Sequence, residues 1–173
     1  MPPRQLLYPL AVTLALLLTP IAAQSEDGVS THEVRLGMVN AQSGPASGLG
    51  IHMKAGVQAY FTRVNATGGV HGRTLNLIVK DDGYEPARSA AHTEELINSD
   101  NIFALLGYVG TPTSRAALPI AMRAEVPYLF PFTGAEFLRT PVKKWAFNVR
   151  ASYLDETETL VEHLTTDLGV SKI

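Results

Sequence analysis

The chain has 173 residues, a formal net charge of −2 and no cysteine. Disulfides, thiolate metal sites and a cysteine nucleophile are therefore excluded, and the fold has to rest on its apolar core. Lysine and arginine are scattered through the sequence, which is not the pattern of a surface that tracks phosphates, and nucleic acid is not an expected partner.

At the N-terminus Arg4 precedes an apolar run from Leu6 to Leu18, followed by Thr19, Pro20 and the small residues Ala22 and Ala23. A run of about 13 apolar residues is short of the roughly 20 needed to span a bilayer, so residues 1–23 read as a secretory signal peptide cut near Ala23. Residues 24–33, opening with Gln24-Ser25-Glu26-Asp27, then form a flexible mature terminus. With no cysteine to carry a lipid, the expected product is a freely soluble exported protein, not a lipoprotein. About 150 residues remain, enough for one domain with a substantial core.

In chain order, Val34 to Val39 is a short, mostly apolar strand. Gly50 to Val64 carries apolar residues at helical spacing, and Thr74 to Val79 is a second strand ending before Asp81-Asp82. Pro86 opens a helix that runs through Ala87 to Ile97, and Ile102 to Leu106 is a third strand. A further helix reaches Arg123, with Thr111 as its natural N-cap and Pro112 at its first position. Pro127 to Phe130 and Ala146 to Val149 are the fourth and fifth strands, and Asp155 to Leu168 is a helix stopped by Gly169. Strands joined by helices predict an α/β fold: a doubly wound, mostly parallel sheet with helices on both faces.

In such sheets ligands bind beyond the carboxyl ends of the strands, which singles out three loops. The first, Ala41 to Gly50, combines glycines with small polar residues; its amides could grip a carboxylate, or it is a plain strand-to-helix connection. The second, Gly107 to Ser114, places Thr111 at a helix N-terminus, where a hydroxyl both caps the helix and favours an incoming anionic group. The third, Pro131 to Ala135, offers backbone groups, the Thr133 hydroxyl and the aromatic wall of Phe132.

Several segments together resemble the periplasmic branched-chain amino-acid binding proteins and their amide- and aromatic-acid-binding relatives. They are Val34-Arg35-Leu36-Gly37 leading to Ser43-Gly44-Pro45, the turn Asn65-Ala66-Thr67-Gly68-Gly69-Val70-His71-Gly72-Arg73, and Lys80-Asp81-Asp82-Gly83. Phe132 to Arg139 and Phe147 to Tyr153 look like one sub-branch rather than the leucine binders themselves. The resemblance implies a type I binding protein: a periplasmic monomer whose two α/β lobes close on a small solute and deliver it to an ABC permease of the inner membrane. It implies no enzyme and no cofactor. Residues 34–150 would be the N-terminal lobe, and 151–173 the crossover helix and the start of a second lobe that the sequence lacks. A lone lobe is then expected to bind solute weakly. The alternative is the ligand-binding domain of a sensory receptor, which uses the same lobes to report a ligand.

By the same resemblance, Thr111 matches the hydroxyl residue that contacts the ligand carboxylate or amide. Phe132 and Gly134 fall where the next loop touches the ligand, with Thr133 between them. Leu49 matches a lining position that is aromatic in the family, and Phe132 replaces a small residue; both departures suggest an aromatic-stacking pocket rather than a leucine-shaped one. Ser43 and Val109, in the same loops, complete the expected ligand-binding set. Phe132 also fits a packing role, and Tyr153, at the start of the crossing toward the second lobe, either reaches the cleft or packs the hinge, with hinge packing the preferred reading.

No other constellation competes. Asp81-Asp82 follows a strand and reads as structural, the five histidines are dispersed without metal-ligand spacing, and the first loop has neither the lysine of a P-loop nor the glycine intervals of a dinucleotide fingerprint. No Gly-x-Ser-x-Gly elbow is present, so no catalytic residue is expected.

Overall fold

Apolar runs bounded by turns become the strands of a computed structural model that describes residues 26–172. The expected signal peptide and its cut near Ala23 lie outside the described residues. Strand β1 covers Glu33–Asn40, with its last five residues buried, and pairs in parallel along its whole length with β2, Thr74–Asp81. The other three strands are short: β3 is Ala104–Leu106, β4 Tyr128–Leu129 and β5 Ala146–Phe147. All pair in parallel in the order β2-β1-β3-β4-β5. Helices α1 (Ser47–Ala66), α2 (Pro86–Asn98), α3 (Thr111–Arg123) and α4 (Tyr153–Glu162) connect or follow them, and α4 runs on into a π-helical turn over His163–Asp167.

The expected parallel α/β sheet is present, with shifted element ends. Strand β3 begins at Ala104 rather than Ile102 because Asn101 takes a left-handed φ of 50° and turns the chain into the sheet late. Strand β4 loses both ends: Pro127 has no N–H to give, and Phe130, at φ 53°, bends out of the plane. Phe130 still donates its amide to the Phe147 carbonyl at 2.8 Å, but Asn148 and Val149 are left without a strand to pair with, so β5 ends at Phe147. Helix α4 starts two residues early, at Tyr153, because Ser152 and Asp155 form a reciprocal capping box at 3.0 and 3.1 Å.

Strand alternation divides the core between two faces. Leu105 and Tyr128 point to one side, where Leu96 of α2 and Ala117, Leu118 and Ala121 of α3 close over them. Leu36, Leu106 and Leu129 point to the other, where Met53, Val57 and Phe61 of α1 border an open apolar recess of about 820 Å³. Helices therefore cover both faces, and strand order reverses between β1 and β3. The loops leaving those two strands diverge there and open a crevice at the carboxyl edge.

Candidate functional site

At that edge the β1 loop is braced by Asp81 at the end of β2. Its carboxylate accepts the amides of Gln42 at 2.8 Å, Ser43 at 3.2 Å and Gly83 at 2.9 Å, and the Ser43 hydroxyl at 2.5 Å. Burial opposes ionisation of Asp81, but these four donors prevail and hold its pKa at about 2. Asn40 donates through its side-chain amide to the Gly107 carbonyl at 3.2 Å, tying the β1 loop to the β3 loop, and accepts from the Gln42 side chain. Its neighbour Asp82 is fully buried behind the site and accepts the Tyr84 amide at 2.8 Å; burial pushes its pKa up.

The loops after β3 and β4 run side by side. Val109 bridges to Phe132, whose amide donates to the Tyr108 carbonyl at 2.7 Å. The N-cap of α3 is Gly110, not Thr111 as the sequence suggested, and no side chain caps the helix. Gly110 takes φ 103°, and a Cβ there would stand 2.5 Å from the Tyr84 ring, so only glycine can make this turn, one residue earlier than the proline pattern implies. Displaced into the first helical turn, Thr111 turns its hydroxyl to Thr133, 2.7 Å away. Thr113 instead donates back to the carbonyls of Val109 and Gly110, at 2.5 and 3.1 Å.

The expected site residues separate by exposure. Thr111 is half-buried and Ser43 exposed, both at the rim. Thr133 and Val109 are buried, so Val109 can offer only its backbone. Gly134 is buried beneath Tyr153. Leu49 and Phe132, both exposed, line the apolar recess on the α1 side rather than the hydroxyl cluster. The structure adds residues that spacing did not single out for this edge. Tyr84 lies against Gly110. Tyr153 brings its hydroxyl to 3.2 Å from Thr133. The guanidinium of Arg150 lies 5.4 Å from the centre of the Phe132 ring and 5.1 Å from that of Tyr153. Tyr84, one residue past an Asp-Gly turn, carries a local signal, and Tyr153 stands out at the start of the crossing, where hinge packing is the preferred reading. Among the described residues no group of three or more histidine, aspartate or glutamate side chains is placed to hold a metal ion.

A family model described as periplasmic binding protein matches residues 33–173. The chain belongs to the periplasmic binding protein family. Among its relatives, the Leu/Ile/Val-binding protein homolog 6 of Brucella abortus is 28% identical over 147 residues, which is 81% of this chain and 35% of that protein. A possible leucine/isoleucine/valine-binding protein from Rhodopirellula baltica superposes with a TM-score of 0.75 at 40% identity, covering 84% of this chain and 38% of that one. A fatty acid ABC transporter substrate-binding protein from Thermomonospora curvata superposes at 0.76 with 25% identity, over 88% and 38%. This periplasmic binding protein chain thus spans about a third of the length of the curated relatives it matches. By their names these relatives are solute-binding proteins, and the carboxyl edge of the sheet is where such a lobe can offer a cleft.

Proposed function

We propose that this lobe forms one wall of a solute-binding cleft in an exported, periplasmic binding protein that serves an ABC importer. One observation carries the reading: Thr111, freed from capping by Gly110, sits in the first turn of α3 at the point where strand order reverses. A carboxylate oxygen placed there accepts from first-turn amides that have no acceptor within the helix, and the Thr111 oxygen, its proton turned to Thr133, is open to an amide or ammonium N–H of the ligand. The helix dipole favours the negative charge. Ser43 at the rim and the Val109 backbone are further polar groups of this edge, Gly134 gives Tyr153 room to lie over it, and the adjoining recess lined by Phe132 and Leu49 offers apolar contact. Branched-chain amino acids and fatty acids, the solutes in the relatives' names, share a carboxylate on an apolar body. The solute class is therefore a small amino acid, amide or aromatic acid, and the partner an inner-membrane permease. In this reading residues 1–23 direct export and are removed, and residues 34–150 form the lobe.

A thermal-shift screen of the full-length gene product against branched-chain and aromatic amino acids, short amides and aromatic carboxylates tests the proposal. A true ligand raises the melting temperature in proportion to the logarithm of its concentration once above Kd. If no member of the panel stabilises the protein, the solute-binding reading falls.

A further inference from the structure

Resting on that reading of the carboxyl edge, the geometry points further, to Tyr153. Three hydroxyls form a line: Thr111 Oγ1 is 2.7 Å from Thr133 Oγ1, which is 3.2 Å from the Tyr153 hydroxyl. The middle member is 0% exposed, and its oxygen already accepts the Ala135 amide at 3.2 Å. A hydroxyl has one proton and two lone pairs. With one lone pair committed to Ala135, Thr133 accepts from one neighbour and donates to the other. Thr133 donates to Tyr153, so it accepts from Thr111, and the Tyr153 proton is left over. The one free donor is therefore at the Tyr153 end, which is 44% exposed, while Thr111 at the other end is half-buried and keeps only its lone pairs free. Thr133 is thus the relay, and Tyr153 carries the donor that the line leaves free.

Tyr153 is held in place for such a role. Its amide donates to the Gly134 carbonyl at 2.8 Å, and a Cβ on Gly134 would stand 2.7 Å from Cδ1 of the Tyr153 ring. Arg139 holds the chain just before it by donating to the carbonyls of Arg150 at 2.5 Å and Ala151 at 3.0 Å. The Arg150 guanidinium, beside the rings of both Phe132 and Tyr153, is matched in two bonds by Glu156 at 2.6 and 2.7 Å, so it steadies the rings and is not left to pair with a ligand. The Thr133 hydroxyl lowers the pKa of Tyr153, in keeping with donation from Thr133 to Tyr153, the polarity that frees the phenolic proton.

We propose that Tyr153 is a specificity-determining ligand contact. Its hydroxyl donates the one free proton of the line to the carboxylate that the first-turn amides of α3 hold, and its ring, with that of Phe132, favours an aromatic carboxylate over a branched aliphatic one.

Isothermal titration of the full-length gene product with benzoate, phenylacetate, leucine and isoleucine tests this, using the parent, Tyr153→Phe and Tyr153→Leu. The parent should bind the aromatic acids more tightly than the aliphatic amino acids. Tyr153→Phe, which keeps the ring, should weaken every carboxylate about five- to tenfold, the effect of one lost hydrogen bond. Tyr153→Leu should in addition abolish the aromatic preference, a change of ratio that a purely structural tether would not produce. A parent that prefers leucine, or two folded variants that keep both affinity and ratio, overturns the role of Tyr153 while leaving solute binding intact. A parent that binds none of the four defeats the functional reading itself, and this inference with it.

Discussion

Thr111 and Thr133 are adjacent in space yet have different duties, because burial decides which of two bonded hydroxyls can meet a solute. Replacing Thr111 with alanine in the full-length protein should cost about 1–3 kcal/mol of binding, by removing the hydroxyl that polarises Thr133 toward Tyr153 and an acceptor at the cleft. Unchanged affinity by calorimetry would reduce Thr111 to a prop for Thr133. The two neighbouring aspartates should respond to pH with opposite signs. Asp81 has a folded pKa of about 2 against an ordinary 3.8, so its stabilising contribution is complete above about pH 4 and is lost as pH falls toward 2. Asp82 is shifted upward by burial, so its contribution is fullest below 3.8 and is lost as pH rises through its folded value. Thermal melts should therefore show Asp82→Asn gaining on the parent as pH rises above about 4, and Asp81→Asn losing on it as pH rises from about 2 to about 4. The reverse order would contradict the burial assigned to each. The loops were legible in the sequence, since glycine, proline and hydroxyl residues mark them. The direction of each hydroxyl was not, because it depends on Gly110 meeting Tyr84 and on Gly134 meeting Tyr153, contacts between residues about 20 or more apart.

Among the elements, the long, strongly patterned ones were the readable ones: β1, β2, α2 and α3 lie close to where apolar spacing and the two helix-opening prolines put them. The short strands were overestimated, as strand length here is set by where a neighbour turns away, at Phe130 and Asn101, and not by apolar composition. The start of α4 was missed although Ser152-x-x-Asp155 is a recognisable cap, because apolar spacing drew attention to later residues. Ser152→Ala should remove that cap and cost about 1 kcal/mol of stability, read by denaturant titration, and should loosen the segment that holds Tyr153. Leu105→Ala, at the contact of β3 with α2 and α3, should cost about 2–5 kcal/mol, since a fully buried leucine leaves a cavity its neighbours fill only in part. A cost below about 1 kcal/mol would place the core elsewhere.

For the molecule as a whole, the sheet is unevenly built. Strands β1 and β2 share eight register pairs, whereas β1 with β3, β3 with β4, and β4 with β5 share two each. The long ladder lies on the side away from the hydroxyl line, and the short ladders carry the loops that bear Thr111, Phe132 and Thr133. Backbone amides open in cooperative units whose protection follows how many hydrogen bonds and packed neighbours each unit would have to give up. Deuterium uptake should accordingly run as a gradient across the sheet, slowest in β1 and β2 and faster toward β4 and β5, and a bound solute should slow the fast side selectively. The lobe would then register its ligand as a local stiffening of its weaker half.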